Sequence, residues 1–252
     1  MSVIHRERKR GKTYEVRQAG ASIRLYTNGA FHSQWNPRHV FSGAVWDLLS
    51  LPTLFTATPP EKILMLGVGG GAGINQLGFL FPEAHVKGIE IDPVHLKLAK
   101  RFFSATRPRV SYVLTDAVTY LHHASHDCDV IIDDLYLDAA GDPEHPATHQ
   151  REWTSTLVDR VNPSLALIKN HLDLSQANAW SRTWQSTLKR HFAAGIRFRC
   201  EGYSNVITAL YTHDIKTSSG LTSTLLDRLK HYPLTPQGRK NLRRIQIQRL
   251  TL

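Results

Sequence analysis

A turn made almost entirely of glycine, LGVGGGAG, stands where the apolar run KILMLGV must give way to a helix. Gly67, Gly69 and Gly71 leave the backbone bare there, so a ligand can approach main-chain atoms that a side chain would shield. Gly67, Gly69 and Ala72 also satisfy GxGxxG/A, so the turn alone fits a dinucleotide as well as another adenosine ligand. Glu90 closes the next apolar run, in GIEIDP, about 20 residues on, where a carboxylate accepts both hydroxyls of a ribose. Asp92 before Pro93 has the form of a helix N-cap and is assigned to structure. Asp116, ending RVSYVLTDA, either accepts the exocyclic amine of adenine or caps the helix that follows.

A fourth run ends in DVIIDDLYLD. Ligands of open α/β sheets bind outside the carboxyl ends of the strands, which makes Asp134 the candidate for acid–base or substrate-binding chemistry. Asp133 alternates with it and faces away. Tyr136 lines the same pocket or packs on its wall. Asn170 and His171 hold the corresponding place after a fifth run, and His171 is a candidate proton carrier. The catalytic candidates are thus Asp134, Tyr136 and His171. His145 and His149 do not make a metal site, because Pro146 breaks the helix that would align them and no third ligand is defined. No metal is expected. Cys128 and Cys200 lie far apart, without metal-ligand spacing, and read as free thiols of a reducing compartment.

Three segments position these residues. Residues 1–58 comprise a basic start, a small β-meander with period-two alternation over residues 13–36 and an Asn28-Gly29 hairpin signal, and a linking helix that ends near Pro52. Residues 59–215 alternate strands with helices and close on an apparent antiparallel hairpin. Such alternation specifies an α/β, Rossmann-like, doubly wound sheet covered by helices on both faces, and the closing hairpin is typical of class I methyltransferases rather than dinucleotide dehydrogenases. Residues 216–252 read as a linker, a helix near 221–231 and a basic tail. Residues after about Ser218 are therefore expected to lie outside the nucleotide site.

The net charge of +10 resides at the ends: residues 1–12 carry five Lys/Arg against one Glu, residues 226–252 seven against one Asp, and the middle is neutral. A basic binding face on the folded domain is not indicated. The ends read as solvated segments, through which alone a nucleic acid would be met. No run approaches the ~20 apolar residues of a membrane span, and no signal-peptide core follows the N-terminus, so a cytoplasmic protein without a membrane partner is expected.

KILMLGVGGGAG, VKGIEIDP, RVSYVLTDA and CDVIIDDLY, in this order and spacing, resemble the spermidine synthase family and its methyltransferase-fold relatives. YTNGAFHSQW stands where that family has a strand motif ending in an LDGxxQ-like pattern. The resemblance implies an S-adenosylmethionine-type pocket formed by Gly67, Gly69, Gly71, Glu90, Ile91, Asp116 with Ala117, and Asp134, a small-molecule acceptor, and a homodimer. It also marks departures. Aminopropyltransferases have a GGGDGG turn whose acid holds the donor's amine; Gly70 stands in its place. Asp134 matches the first acid of their DSSDP-like segment, but Leu137 replaces the second, while His32 and Phe41 replace a glutamine and a tyrosine. A desolvated polyamine needs paired carboxylates, so methyl transfer from S-adenosylmethionine to an unidentified acceptor is the leading expectation. Aminopropyl transfer from decarboxylated S-adenosylmethionine and a non-catalytic nucleotide-binding scaffold are the alternatives. The glycine turn is further expected to offer free backbone N–H groups to the donor's carboxylate.

Overall fold

The alternation at the N-terminus folds into an antiparallel meander in the order β1 (Ser2–Lys9), β2 (Lys12–Ala19), β3 (Ser22–Thr27) and β4 (Ala30–Trp35). The computed structural model describes residues 1–105, 109–123, 128–139, 142–144, 150–161, 165–217 and 220–252. Tyr14, Val16, Leu25 and Trp35 are buried and supply the meander's apolar side. Asn28 and Gly29 both have positive φ, 50° and 86°, as the two-residue hairpin turn between β3 and β4 requires. The basic start is not a solvated tail: its charged residues Arg6 to Lys9 lie in β1, which pairs with β2 from Ser2↔Gln18 to Lys9↔Lys12. Helix α1 (Val45–Ser50) runs into a 3-10 turn, Leu51–Phe55, with Pro52 at its start where a missing N–H costs nothing.

The second sheet has the order β14-β12-β13-β11-β8-β5-β6-β7. Its parallel strands are β5 (Lys62–Leu66), β6 (His85–Glu90), β7 (Val110–Leu114), β8 (Val130–Asp133) and β11 (Ala166–His171). The strands β12 (Ala194–Cys200) and β13 (Val206–Tyr211) form the expected antiparallel closing hairpin. A short antiparallel pair, β9 (Leu137–Ala139) and β10 (Asp142–Glu144), stands outside this sheet. Residues of α2 (Ala72–Leu80) and α3 (Pro93–Phe102), with α1, fill the core on one face. Those of α4 (Ala117–His123), α5 (Gln150–Val161) and the pair α6 (Leu174–Thr183) and α7 (Gln185–His191) fill the other.

The C-terminal residues are not the solvated tail that their charge suggested. After α8 (Leu221–Leu229) come α9 (Pro236–Leu242) and β14 (Ile245–Leu250), which pairs antiparallel with β12 from Gly195↔Leu250 to Cys200↔Ile245. The sheet is complete only with this strand. Leu221, Leu225, Leu229, Leu242 and Ile245 are buried in the main core, which the basic residues between them concealed in the sequence. Among the described residues no helix is long and apolar enough to cross a membrane.

Candidate active site

Chain order reverses at β5: β6 and β7 lie on one side of it and β8 on the other. At this switch point the ends of β5 and β8 run close together, with Leu66 opposite Asp133 and the Asp134 N–H donating to the Leu66 carbonyl at 2.9 Å. A Cβ on Gly67 would stand 2.4 Å from the Asp134 carbonyl oxygen, and Gly67 has φ +83°. Glycine is therefore required for both closeness and backbone conformation. Gly71, φ +80°, caps α2; a Cβ there would meet the Ala105 side chain at 2.7 Å, so its part is packing rather than contact with the cavity.

A cavity of about 970 Å³ opens over this point, between the meander and the carboxyl ends of the parallel strands. Of the expected site residues, Gly67, Gly69, Glu90, Ile91, Asp116, Ala117, Asp134 and Tyr136 line it, together with His32. His171 does not. Asn170 faces the cavity, so the next residue along β11 points to the opposite side, where the buried His171 ring packs 5.2 Å from Trp180. Strand periodicity thus corrects the assignment of His171 as proton carrier. Phe41 is likewise a core residue, edge-on to Phe79. His145 and His149 lie outside the described residues, and among those described no group of three or more metal-ligating side chains occurs.

Glu90 is buried and already committed to the protein. Its Oε2 accepts the Val68 and Gly69 N–H groups at 3.0 and 2.9 Å, and its Oε1 accepts the Asp92 N–H at 2.9 Å. A carboxylate offers about four lone-pair sites, so Oε1 retains capacity for one further donor rather than both hydroxyls of a ribose. Two further N–H groups of the turn are also taken: Gly67 donates to Ile89 and Gly71 to Val68. Glu90 therefore fills the anion position at Val68 and Gly69 where the donor's carboxylate was expected, and of the turn's N–H groups from Gly67 to Gly71 that of Gly70 alone has no partner among the described residues. Replacing Glu90 by Ala is accordingly expected to weaken adenosine-ligand binding by about 10- to 100-fold, at 1.5–3 kcal/mol for charge-assisted bonds, and to lower the melting temperature. Calorimetric titration beside a thermal melt checks this, and unchanged affinity in a folded variant would remove Glu90 from the site.

The other residues suit an adenosine. Ile91 is 58% exposed at the cavity wall, an apolar surface for a planar base to cover. Asp116, a lining residue of the cavity, caps α4 through Oδ2, which accepts from the Thr119 N–H at 2.9 Å and its hydroxyl at 3.0 Å and leaves Oδ1 without a partner among the described residues. Capping therefore uses one oxygen of this carboxylate and leaves the other able to accept a donor. Asp92 caps α3 as its sequence indicates, accepting the Val94 N–H at 2.8 Å and also the Tyr14 hydroxyl at 2.7 Å.

Asp134 and Asp133 diverge as the period of two requires. Asp133 is buried on the far face, ion-paired with Lys169 Nζ at 2.5 Å and bonded by Trp153 Nε1 at 3.0 Å. Asp134 stands at the cavity wall, where burial pushes its carboxyl up to about 7; Asn170 opposes that shift, donating to Oδ1 at 2.7 Å, and the charges of Asp133 and Glu90 add to it. The Asn205 side-chain amide in turn donates to Asn170 Oδ1 at 3.1 Å. Burial also raises the Tyr136 hydroxyl, so it stays protonated. An acid poised near neutrality beside a protonated phenol can take a proton from a reacting group.

Sequence reasoning missed Lys9, Arg10, Lys12, Tyr14, Trp46 and His95, all of which line the cavity. An Arg10-Gly11 pair between alternating runs was the available signal for the hairpin that brings the first three there.

A switch-point cavity of this kind in a sheet with this strand order defines a class I S-adenosylmethionine-dependent methyltransferase fold. Within that class the chain is similar to polyamine aminopropyltransferases in sequence and to spermidine synthases in fold. It is 33% identical over 132 residues to a polyamine aminopropyltransferase of Vibrio vulnificus, a stretch covering 51% of this chain and 43% of that one. The chain spans half or less of the length of the curated relatives it matches. A probable spermidine synthase from Corynebacterium glutamicum superposes with a TM-score of 0.74 over 99% of this chain and 91% of its own, at 16% identity. Human methyltransferase-like protein 13, solved with S-adenosylhomocysteine, superposes at 0.53 over 78% of this chain and 87% of its own, at 25% identity. No protein-family profile matches.

Proposed function

We propose that this chain is a group transferase of the spermidine synthase type, moving the aminopropyl group of decarboxylated S-adenosylmethionine onto an amine. The observation that carries this reading is Asp134: half-buried, pushed up to about 7, held by Asn170, and in one cavity with Glu90, Ile91 and Asp116. The similarity to aminopropyltransferases supports the choice of donor. The donor's sulfonium supplies an electrophilic carbon: the amine's lone pair forms a C–N bond as the C–S bond breaks, and the electron pair returns to sulfur. Asp134 takes the proton that the nitrogen sheds. Ile91 and Asp116 hold the base, and Glu90 fixes the turn beneath the ribose.

One observation favours methyl transfer from S-adenosylmethionine as a second reading. A Cβ on Gly70 would stand 2.6 Å from the Ser33 Cβ and 3.0 Å from Phe103, so the position where aminopropyltransferases carry an acid has no room for one. The nucleoside product separates the two. Aminopropyl transfer releases methylthioadenosine and methyl transfer releases S-adenosylhomocysteine, so chromatography after incubation with each donor and a panel of amines is expected to show the former. S-Adenosylhomocysteine alone would establish the second reading, and donor binding without either product would leave a nucleotide-binding scaffold.

A further inference from the structure

The hairpin turn joining β1 and β2 carries Lys9, Arg10 and Lys12, and all three line the cavity. Lys9 and Arg10 are exposed, and none of the three forms a close ion pair or a side-chain hydrogen bond among the described residues, although the Lys12 charge reaches Asp92 and helps to lower its carboxyl. The four carboxylates of the same cavity are differently placed, each already accepting from protein donors: Glu90 from the glycine turn, Asp92 from Tyr14 and Val94, Asp116 from Thr119, and Asp134 from Asn170. At the hairpin rim itself a ligand meets cations, whereas the carboxylates, whose charge these neutral donors do not cancel, stand at the strand ends.

This turn keeps its cations against local preference. Arg10 has φ +51° and Gly11 φ +77°, the left-handed pair that a two-residue hairpin needs. Asn, Asp or Gly fill the first of these positions readily, whereas an arginine there is strained. The equivalent turn between β3 and β4 uses Asn28. Lys9 and Lys12 are moreover the closing cross-strand pair, with like charges directly opposite, which is unfavourable. Two local penalties in one turn, both arising from cations at a cavity rim, point to a ligand.

Resting on the transferase reading above, we propose that the acceptor is an amine that also bears an anionic group, a carboxylate or a phosphate, which Lys9, Arg10 and Lys12 receive while the amine reaches Asp134. A simple diamine is cationic at both ends and is repelled by this rim.

The test is calorimetric titration of the full chain saturated with methylthioadenosine, using γ-aminobutyrate, phosphoethanolamine and putrescine as probes at low and high salt. One or both anionic amines should bind at least about tenfold more tightly than putrescine, and more weakly as salt rises; the two arms separate carboxylate from phosphate. A variant carrying Lys9→Thr, Arg10→Asn and Lys12→Thr should lose that preference by about tenfold while binding methylthioadenosine unchanged. Because it relieves both penalties, it should melt no lower than the parent, so a loss of binding is not a loss of fold. Putrescine binding as tightly as both anionic amines, or a variant with the parent's preference, overturns the proposal. Failure of methylthioadenosine to bind would instead defeat the donor assignment, and the same titrations on the free chain would still decide whether the rim receives an anion.

Discussion

Replacing Asp134 by Asn is expected to lower turnover by about 10²- to 10⁴-fold, the usual contribution of a positioned proton acceptor, with donor affinity changed only severalfold. Asn keeps an oxygen for the Asn170 amide and nearly the same volume, so the variant removes a charge and a proton site without opening a cavity. Parent activity should rise with pH and level off above about 7, where the carboxyl loses its proton. Stability should move the other way. The folded carboxyl holds its proton to higher pH than the unfolded one, so between about 4 and 7 the native state binds more protons and loses stability as pH rises. The Asn variant escapes that loss, and its advantage in unfolding free energy should grow across this window, reaching the order of 2–4 kcal/mol by pH 8, with its melting temperature rising alongside. A rate lowered less than tenfold would mean that positioning of donor and nucleophile dominates, as methyl transfer would allow. A stability difference independent of pH would show that Asp134 titrates normally.

Ending the chain after Thr217 is expected to abolish the native fold. The residues removed bury Leu221, Leu225, Leu229, Leu242 and Ile245, and take away the edge strand β14. They also remove the Tyr232 hydroxyl from the Leu80 carbonyl (3.0 Å) and the Asn241 amide from the Phe41 carbonyl (2.9 Å). At about 1.5–3 kcal/mol for each buried aliphatic side chain, the five amount to roughly 7–15 kcal/mol as an upper bound. That matches the whole stability of an ordinary domain, about 5–15 kcal/mol. Loss of the cooperative melt, followed by circular dichroism, is the expected result. A truncated protein that melts cooperatively and still binds an adenosine ligand would return these residues to the peripheral place their composition suggests.

Both cases turn on how far the residues speak for themselves. The glycine turn, Glu90, the Asp92 cap, Asp116 and the divergence of Asp133 from Asp134 were legible in the sequence. Each depends on a local rule: a strand's period of two, a cap's hydrogen bond, or a turn's need for positive φ. The parallel sheet followed from alternating apolar runs for the same reason. What tertiary structure alone decided were matters of partner and facing. Glu90 spends three of its bonds on its own protein because the glycine turn folds back over it, which no spacing reveals. His171 leaves the cavity because Asn170 enters it, a choice of face set by the register of β11 against β13. The two basic ends read as solvated because charge dominates their composition, yet the backbone of a strand pairs while its charged side chains reach solvent, as in β1 and β14. Burial of a few leucines among those charges, and the close approach of the β1–β2 turn to the switch point, are long-range contacts, and only the folded chain brings them together.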